Sequence, residues 1–168
     1  MTPAGFLAAL ADRIVERHIQ SILRVGVDGV DGAGKTSLAD KLAAVLEARG
    51  KHVIRASIDG FHNPRSVRYA KGKDSPEGFY RDSFDLAAFR RELLDPLGPG
   101  GSGRHRRVHF DHRTDSAVAS PIEHADRSAV LLVDGIFLHR PELRSCWDLS
   151  IFLDVPFAES YRRMAVRD

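Results

Sequence analysis

The sequence is short of cysteine, of long apolar runs, of asparagine and of net charge, and each shortage closes a class of explanation. One cysteine, Cys146, in 168 residues excludes an internal disulfide and a cysteine-based metal cluster. Its expected role is that of a small buried hydrophobe. No apolar run approaches the roughly 20 residues that span a bilayer. Asp12, Arg13, Glu16 and Arg17 interrupt the N-terminal stretch where a secretory signal would lie, so a cytoplasmic protein with no membrane partner is expected. A formal charge of +2 is too mild to argue for nucleic acid, while the excess of arginine over lysine suits an anionic ligand. The single asparagine, Asn63, precedes Pro64, so the N-K-x-D signature with which GTPase switches read guanine is missing. What remains, 43% apolar and 29% charged, is the composition of an ordinary globular protein, and the length suits one domain with a real core.

What is there centres on residues 25–38. From Gly29 the chain spells G-x-x-x-x-G-K-T: Gly29, Val30, Asp31, Gly32, Ala33, Gly34, Lys35, Thr36, followed by Ser37. An apolar run at residues 22–27 reads as a buried strand before it. Leu38, Leu42, Val45 and Leu46 recur at helical spacing after it, with Gly50 as the stop. Strand, glycine loop and helix in this order predict a phosphate-binding P-loop. Glycines let successive amides turn toward one anion, and the new helix adds its N-terminal partial charge. Lys35 then reaches the β- and γ-phosphates, and the Thr36 hydroxyl is placed to ligate Mg²⁺. The predicted cofactors are ATP and Mg²⁺.

The rest of the chain supplies carboxylates at strand ends. Residues 52–58 read as a second strand running into Asp59, Gly60, Phe61 and His62. Ligands of open parallel sheets sit beyond the carboxyl ends of the strands. Asp59 is therefore a candidate to accept a hydroxyl proton or help hold Mg²⁺, with a turn cap as the competing structural role. Residues 129–133 form an unbroken apolar run ending at Asp134, the Walker-B pattern for holding Mg²⁺. Residues 149–155 read as a further parallel strand, and Pro156 opens a helix carrying Arg162, Arg163 and Arg167. Arg163 and Arg167 share a face and could clamp phosphates; a solvated basic face fits the spacing equally.

Between these landmarks the reading is coarser. Residues 3–20 look like an amphipathic helix with Phe6, Leu7, Leu10, Ile14 and Val15 on its apolar face; no chemistry is read there. Residues 63–82 look polar and irregular, a long loop of substrate-binding or merely solvated character. Asp85 starts a helix with Leu86, Phe89, Leu93 and Leu94 inward and Pro96 closing it. Residues 104–113 invite a metal reading through His105, His109 and His112; a short strand or hairpin beside the substrate is preferred. The alternation predicts an α/β domain, doubly wound, with a mainly parallel sheet and helices on both faces.

Together these residues resemble the uridine kinase family of P-loop kinases. The resemblance runs from about Val25 to the end of the chain. It rests on residues 29–36, the segment 57–62, residues 79–85, residues 108–111, residues 132–136, and Arg162, Arg163 and Arg167. It implies transfer of the ATP γ-phosphoryl group to the 5′-hydroxyl of uridine or cytidine. Asp59 matches the family's catalytic acid, and Asp134 a position more often held by glutamate. His62, Tyr80, Asp82 and Phe110 fall in segments that contact the nucleoside. Arg163 and Arg167 match arginines at the start of the lid. Family members continue with a lid, a helix and a last strand, so residues 1–168 are expected to be one kinase domain without those parts, the N-terminal helix occupying 1–21. Another small alcohol, such as pantothenate or a sugar, and a nucleotide-binding module without turnover stay open as alternatives. So does a homo-oligomer.

Overall fold

The computed structural model describes residues 2–17 and 20–166. In chain order it begins with α1 (Pro3–Arg17), β1 (Leu23–Gly29), α2 (Lys35–Ala48) and β2 (Val53–Ser57). A 3₁₀ turn (Ile58–Phe61) follows, then α3 (Arg65–Arg68), α4 (Pro76–Asp82) and α5 (Leu86–Phe89), which runs on as a π turn (Arg90–Leu94). Four two-residue strands come next: β3 (Arg104–His105), β4 (Phe110–Asp111), β5 (Ser116–Ala117) and β6 (Glu123–His124). The chain then forms β7 (Val130–Asp134), β8 (Leu149–Leu153) and α6 (Phe157–Ala165). It divides into two compact units, one of Met1–Arg55 with Asp126–Asp168 and one of Ala56–Ala125.

The main sheet has the order β2-β7-β1-β8. β1 pairs in parallel with β7, Val25 opposite Leu132, and with β8, Val27 opposite Ile151. Burial follows position in the sheet. The two inner strands are buried at every residue, as expected when both faces are covered. The outer strands alternate, and Phe152 on β8 is exposed. Helices α1 and α2 pack with β1 and β7 in one core that contains Ala11, Ile14, Leu42, Leu46, Val25 and Leu132. The α/β class with a parallel sheet flanked by helices is therefore the fold. Among the described residues no helix is long and apolar enough to cross a membrane. Cys146 is buried.

The second unit departs from the sequence reading in one respect. The stretch expected to be irregular, residues 63–82, contains α3 and α4. Ser75 caps α4 by accepting from the Gly78 amide at 3.1 Å, with Pro76 at its first position, which is a helix-start signal. Asp85 does cap α5, accepting from Ala88 N at 2.8 Å; Phe89, Leu93 and Leu94 are fully buried. The stretch 104–113, expected to form a short strand or hairpin, holds the two short strands β3 and β4; β4 forms a hairpin with β5, beyond that stretch, across a turn where Asp115 has φ 55°. Residue Phe6, expected on the buried stripe of α1, is 45% exposed. The predicted end of that helix includes His18 and Ile19, which lie outside the described residues.

Candidate functional site

In the first unit the glycine loop joins the end of β1 to the start of α2. Its shape excludes side chains at two points. Gly32 has φ 73°, and a Cβ there would meet the Ser160 carbonyl at 2.7 Å. At Gly29 the obstacle is the Leu153 carbonyl, 2.8 Å away. Gly34 caps α2 in the left-handed region. Lys35 folds back across the loop, its Nζ donating to Val30 O at 2.8 Å. Asp31 and Ser37 are exposed and Ala33 is buried at the turn.

Asp134 ends β7 beside this loop. The Thr36 hydroxyl donates to Asp134 Oδ2 at 2.7 Å, and Arg55 Nη2 lies 2.8 Å from Oδ1. Arg55 also pairs with Asp40 at 2.9 Å and donates to Leu132 O. Asp134 is 3% exposed, and a carboxylate so placed needs these partners. A hydroxyl and a carboxylate in contact make an all-oxygen donor pair of the kind that suits Mg²⁺. On the other side of the loop α6 is tied down by side chains. Ser160 Oγ donates to Asp31 O, and Arg163 Nη1 donates to Ala33 O at 3.2 Å. Glu159 holds both Arg162 and Arg163. Hydrogen bonds from Arg162 and then Arg163 lower its carboxyl to about 2. Gly32, Gly34, Arg162, Arg163 and Val166 border an open cleft of about 360 Å³. Arg167 lies outside the described residues.

The remaining candidates lie in the second unit. Asp59 sits exposed on the 3₁₀ turn, its amide donating to Ser57 Oγ at 3.3 Å. The turn is strapped to the strand region by His109 N donating to Gly60 O at 2.8 Å. His62 Nδ1 meets Asp59 O at 2.8 Å. Its ring lies 4.6 Å from that of Phe84 and 4.5 Å from that of His112. Burial lowers the His62 pKa below 6.5, against the raising effect of the Asp59 carbonyl and charge. Asp82 pairs with Lys71 Nζ at 2.6 Å, and its carbonyl accepts from Asn63 Nδ2. Tyr80 is half-buried on α4. Phe110 is only 7% exposed, so its ring belongs mostly to the packing of this unit.

Several residues escaped the sequence reading. Asp28, buried on β1, accepts from Gly29 N at 2.7 Å and from His139 N at 2.8 Å, fixing the start of the loop. An acidic residue in an apolar strand next to a P-loop was the available signal. Arg55 and Ser160 left none, because their partners are distant in sequence.

The Phosphoribulokinase / Uridine kinase family model matches residues 24–168. A uridine kinase of Leuconostoc citreum (strain KM20) is 27% identical over 157 residues, which cover 87% of this chain and 68% of that protein. A thymidylate kinase of Xanthomonas campestris pv. campestris (strain B100) is 30% identical over 146 residues, 86% of this chain and 61% of that one. The chain thus spans about two thirds of the length of these relatives. Among solved structures, a "possible uridine kinase" from Bacillus stearothermophilus superposes with TM-score 0.80 at 24% identity, covering 97% of this chain and 87% of the other. A "putative fructose transport system kinase" from Silicibacter sp. TM1040 gives 0.76 at 30% identity, covering 99% and 81%.

Proposed function

The chain belongs to the phosphoribulokinase/uridine kinase family of P-loop kinases, and on that premise we propose that it phosphorylates the 5′-hydroxyl of a pyrimidine nucleoside, uridine or cytidine, with ATP. The observation that carries the reading is the Thr36–Asp134 hydrogen bond beside Lys35. It gathers the groups that phosphoryl transfer needs at one loop end. The pyrimidine nucleoside is supported by the likeness to the uridine kinase of Leuconostoc citreum and by the segments shared with that family.

In this mechanism the loop amides of residues 29–36 and Lys35 hold the β- and γ-phosphates. Thr36 and Asp134, with Asp59, are the residues that would hold Mg²⁺, which when bound supplies charge neutralisation on the phosphate oxygens. Asp59 orients the acceptor hydroxyl and takes its proton. Arg163, with Arg167, offsets charge on the transferring group. His62, Tyr80, Asp82 and Phe110 shape the acceptor side. Catalysis is then mostly positioning and electrostatics.

A second reading is favoured by one finding, the 30% identity over nearly the whole chain with the "putative fructose transport system kinase". In it the same machinery serves a sugar-like or other small alcohol. The test is ATP consumption with uridine, cytidine, fructose and pantothenate, with the product's phosphate located by mass spectrometry and NMR. The nucleosides are expected to turn over, with the phosphate on the 5′ carbon. Turnover confined to fructose or pantothenate moves the assignment to the second reading, and none with any acceptor refutes both.

A further inference from the structure

The basic run Arg104-His105-Arg106-Arg107 has no part in the chemistry proposed above. It lies wholly in the second unit, and hydrogen bonds fix it. β3 pairs with β6, Arg104 opposite His124 and His105 opposite Glu123. Arg107 Nε donates to Glu123 Oε1 at 2.8 Å. The Arg106 amide donates to Glu92 O at 2.9 Å, which ties the run to the π turn Arg90–Leu94. Burial alternates along it, as in an extended chain: Arg104 is exposed, His105 is 3% exposed and Arg106 is half-buried.

Three groups of this run lack their usual partners. Among the described residues neither Arg104 nor Arg106 forms an ion pair, whereas Arg91 pairs with Glu92 and Arg107 with Glu123. The buried ring of His105 has Nδ1 3.0 Å from Gly103 O, and its Nε2 has no hydrogen-bond partner. A nitrogen facing a carbonyl is the donor, so Nε2 is the atom left for a ligand or a proton. Buried polar atoms without partners are rare, and a bound ion is one physical reason for them. Arg104, His105 and Arg106 border one cleft of about 200 Å³, together with Arg91, Glu92 and Ile122. The Glu92 carboxylate is already answered there, by Arg91 at 2.9 Å and by His109 Nδ1 at 3.1 Å. Of the residues read for the acceptor, His62, Tyr80, Asp82 and Phe110, none borders this cleft.

Guanidinium forks match the oxygens of a phosphate, and two of them without counter-ions suit its double charge. The cleft is smaller than the roughly 300 Å³ at which ligand pockets begin, which suits a phosphate with a short body and is too small for a nucleotide. We propose that Arg104, Arg106 and His105 bind a phosphate group, as the free ion or a small monoester, with groups distinct from those of the glycine loop.

The test is NMR of the histidine rings during titration with inorganic phosphate and with glycerol 3-phosphate. His105→Gln identifies the His105 signal by its loss. Titrations run on the wild type, Lys35→Ala, Arg104→Gln and the double variant Arg104→Gln/Arg106→Gln. The His105 signal is expected to move with the same midpoint in the wild type and Lys35→Ala. Arg104→Gln, at an exposed position that the fold tolerates, raises the midpoint. The double variant raises it at least about tenfold, the scale of losing a hydrogen bond to a charged group. Glycerol 3-phosphate binding at least as tightly as phosphate assigns the site to a monoester, and weaker binding assigns it to the free ion. The proposal is overturned by a signal that stays still at millimolar phosphate, or by arginine variants that leave the midpoint unchanged. It is equally overturned by a midpoint that follows Lys35→Ala, or by the same response to chloride at matched ionic strength.

Discussion

Each of the two units of the chain is ordered internally by different means. In the first, the long-range order is a ladder of strands buried on both faces, and its polar groups meet across large sequence separations: Thr36 with Asp134, Arg55 with Asp134, Asp28 with the His139 amide. In the second, no paired strand among the described residues of 104–124 exceeds two residues. Short polar side chains do the ordering by accepting from nearby or looped-back amides: Ser75 from Gly78, Asp85 from Ala88, Asp115 from Arg65, Asp111 from Arg113. A ladder fixes a site to the geometry of the sheet. Side-chain clips can be exchanged one at a time. The contrast is in keeping with the proposal that donor chemistry belongs to the first unit and acceptor chemistry to the second, and five substitutions test it.

Lys35→Ala carries the largest expected effect. It removes the one ammonium on the glycine loop while leaving α2 its start, so the fold is kept. Phosphoryl transfer should fall about a thousandfold or more, the scale of losing a group preorganised for the transition-state charge. ATP affinity falls with it, while acceptor affinity measured in the absence of ATP is retained. Turnover within tenfold of wild type breaks the assignment of donor chemistry to the first unit.

Asp59→Asn is the mirror experiment. Turnover should fall by at least about a hundredfold, as on loss of a general base, with ATP binding largely retained. Near-normal turnover leaves Asp59 as a turn residue beside Ser57 and removes the main argument for an acceptor role of the second unit.

The sequence was most legible where periodicity and glycine grammar coincide. β1, the loop, α2, β7 and β8 were all readable, because apolar runs bounded by Gly or Asp have few other solutions. Family membership was readable from a resemblance, carried by the segments at 29–36, 57–62, 79–85, 108–111 and 132–136 taken together. α3 and α4 were missed although Ser75-Pro76 marks a helix start, because four- and seven-residue helices have no periodicity to reinforce their caps. The pairings of Asp134 with Arg55 and of Asp31 with Ser160 are products of tertiary placement, about which one sequence is silent. Phe6 misled in the opposite way, since its spacing matches the buried stripe yet the stripe runs past the core before reaching it.

The ion pairs extend the comparison to stability. Arg55 faces Asp134 with side-chain exposures of 21% and 4%, whereas Lys71 faces Asp82 at 41% and 22%. Removing Arg55 as Arg55→Leu leaves a buried carboxylate without its cation. Discounted for the partial exposure of Arg55, the loss should be on the order of 2 kcal/mol. Lys71→Leu should cost under about 1 kcal/mol, as for an exposed pair. Urea unfolding reads both, and equal losses would erase the distinction.

The smallest effect concerns His62, the one titratable group among the proposed acceptor-side residues whose pKa burial lowers below 6.5. The sign follows from that direction. The folded state favours the neutral ring, so its contribution to stability is complete above pH 6.5 and is lost as the pH falls through the depressed folded value. His112 and Arg68 push the same way as burial, while the Asp59 charge opposes them. Thermal midpoints between pH 7.5 and about 5 should therefore fall more in the wild type than in His62→Gln. Asp59→Asn withdraws the one opposing carboxylate, lowers the His62 pKa further and steepens the decline. A wild-type profile no steeper than that of His62→Gln would mean that the ring beside Phe84 protonates without penalty. An unchanged slope in Asp59→Asn would mean that the Asp59 carboxylate does not reach it, and the proposed acceptor side would lose the electrostatic link between Asp59 and His62.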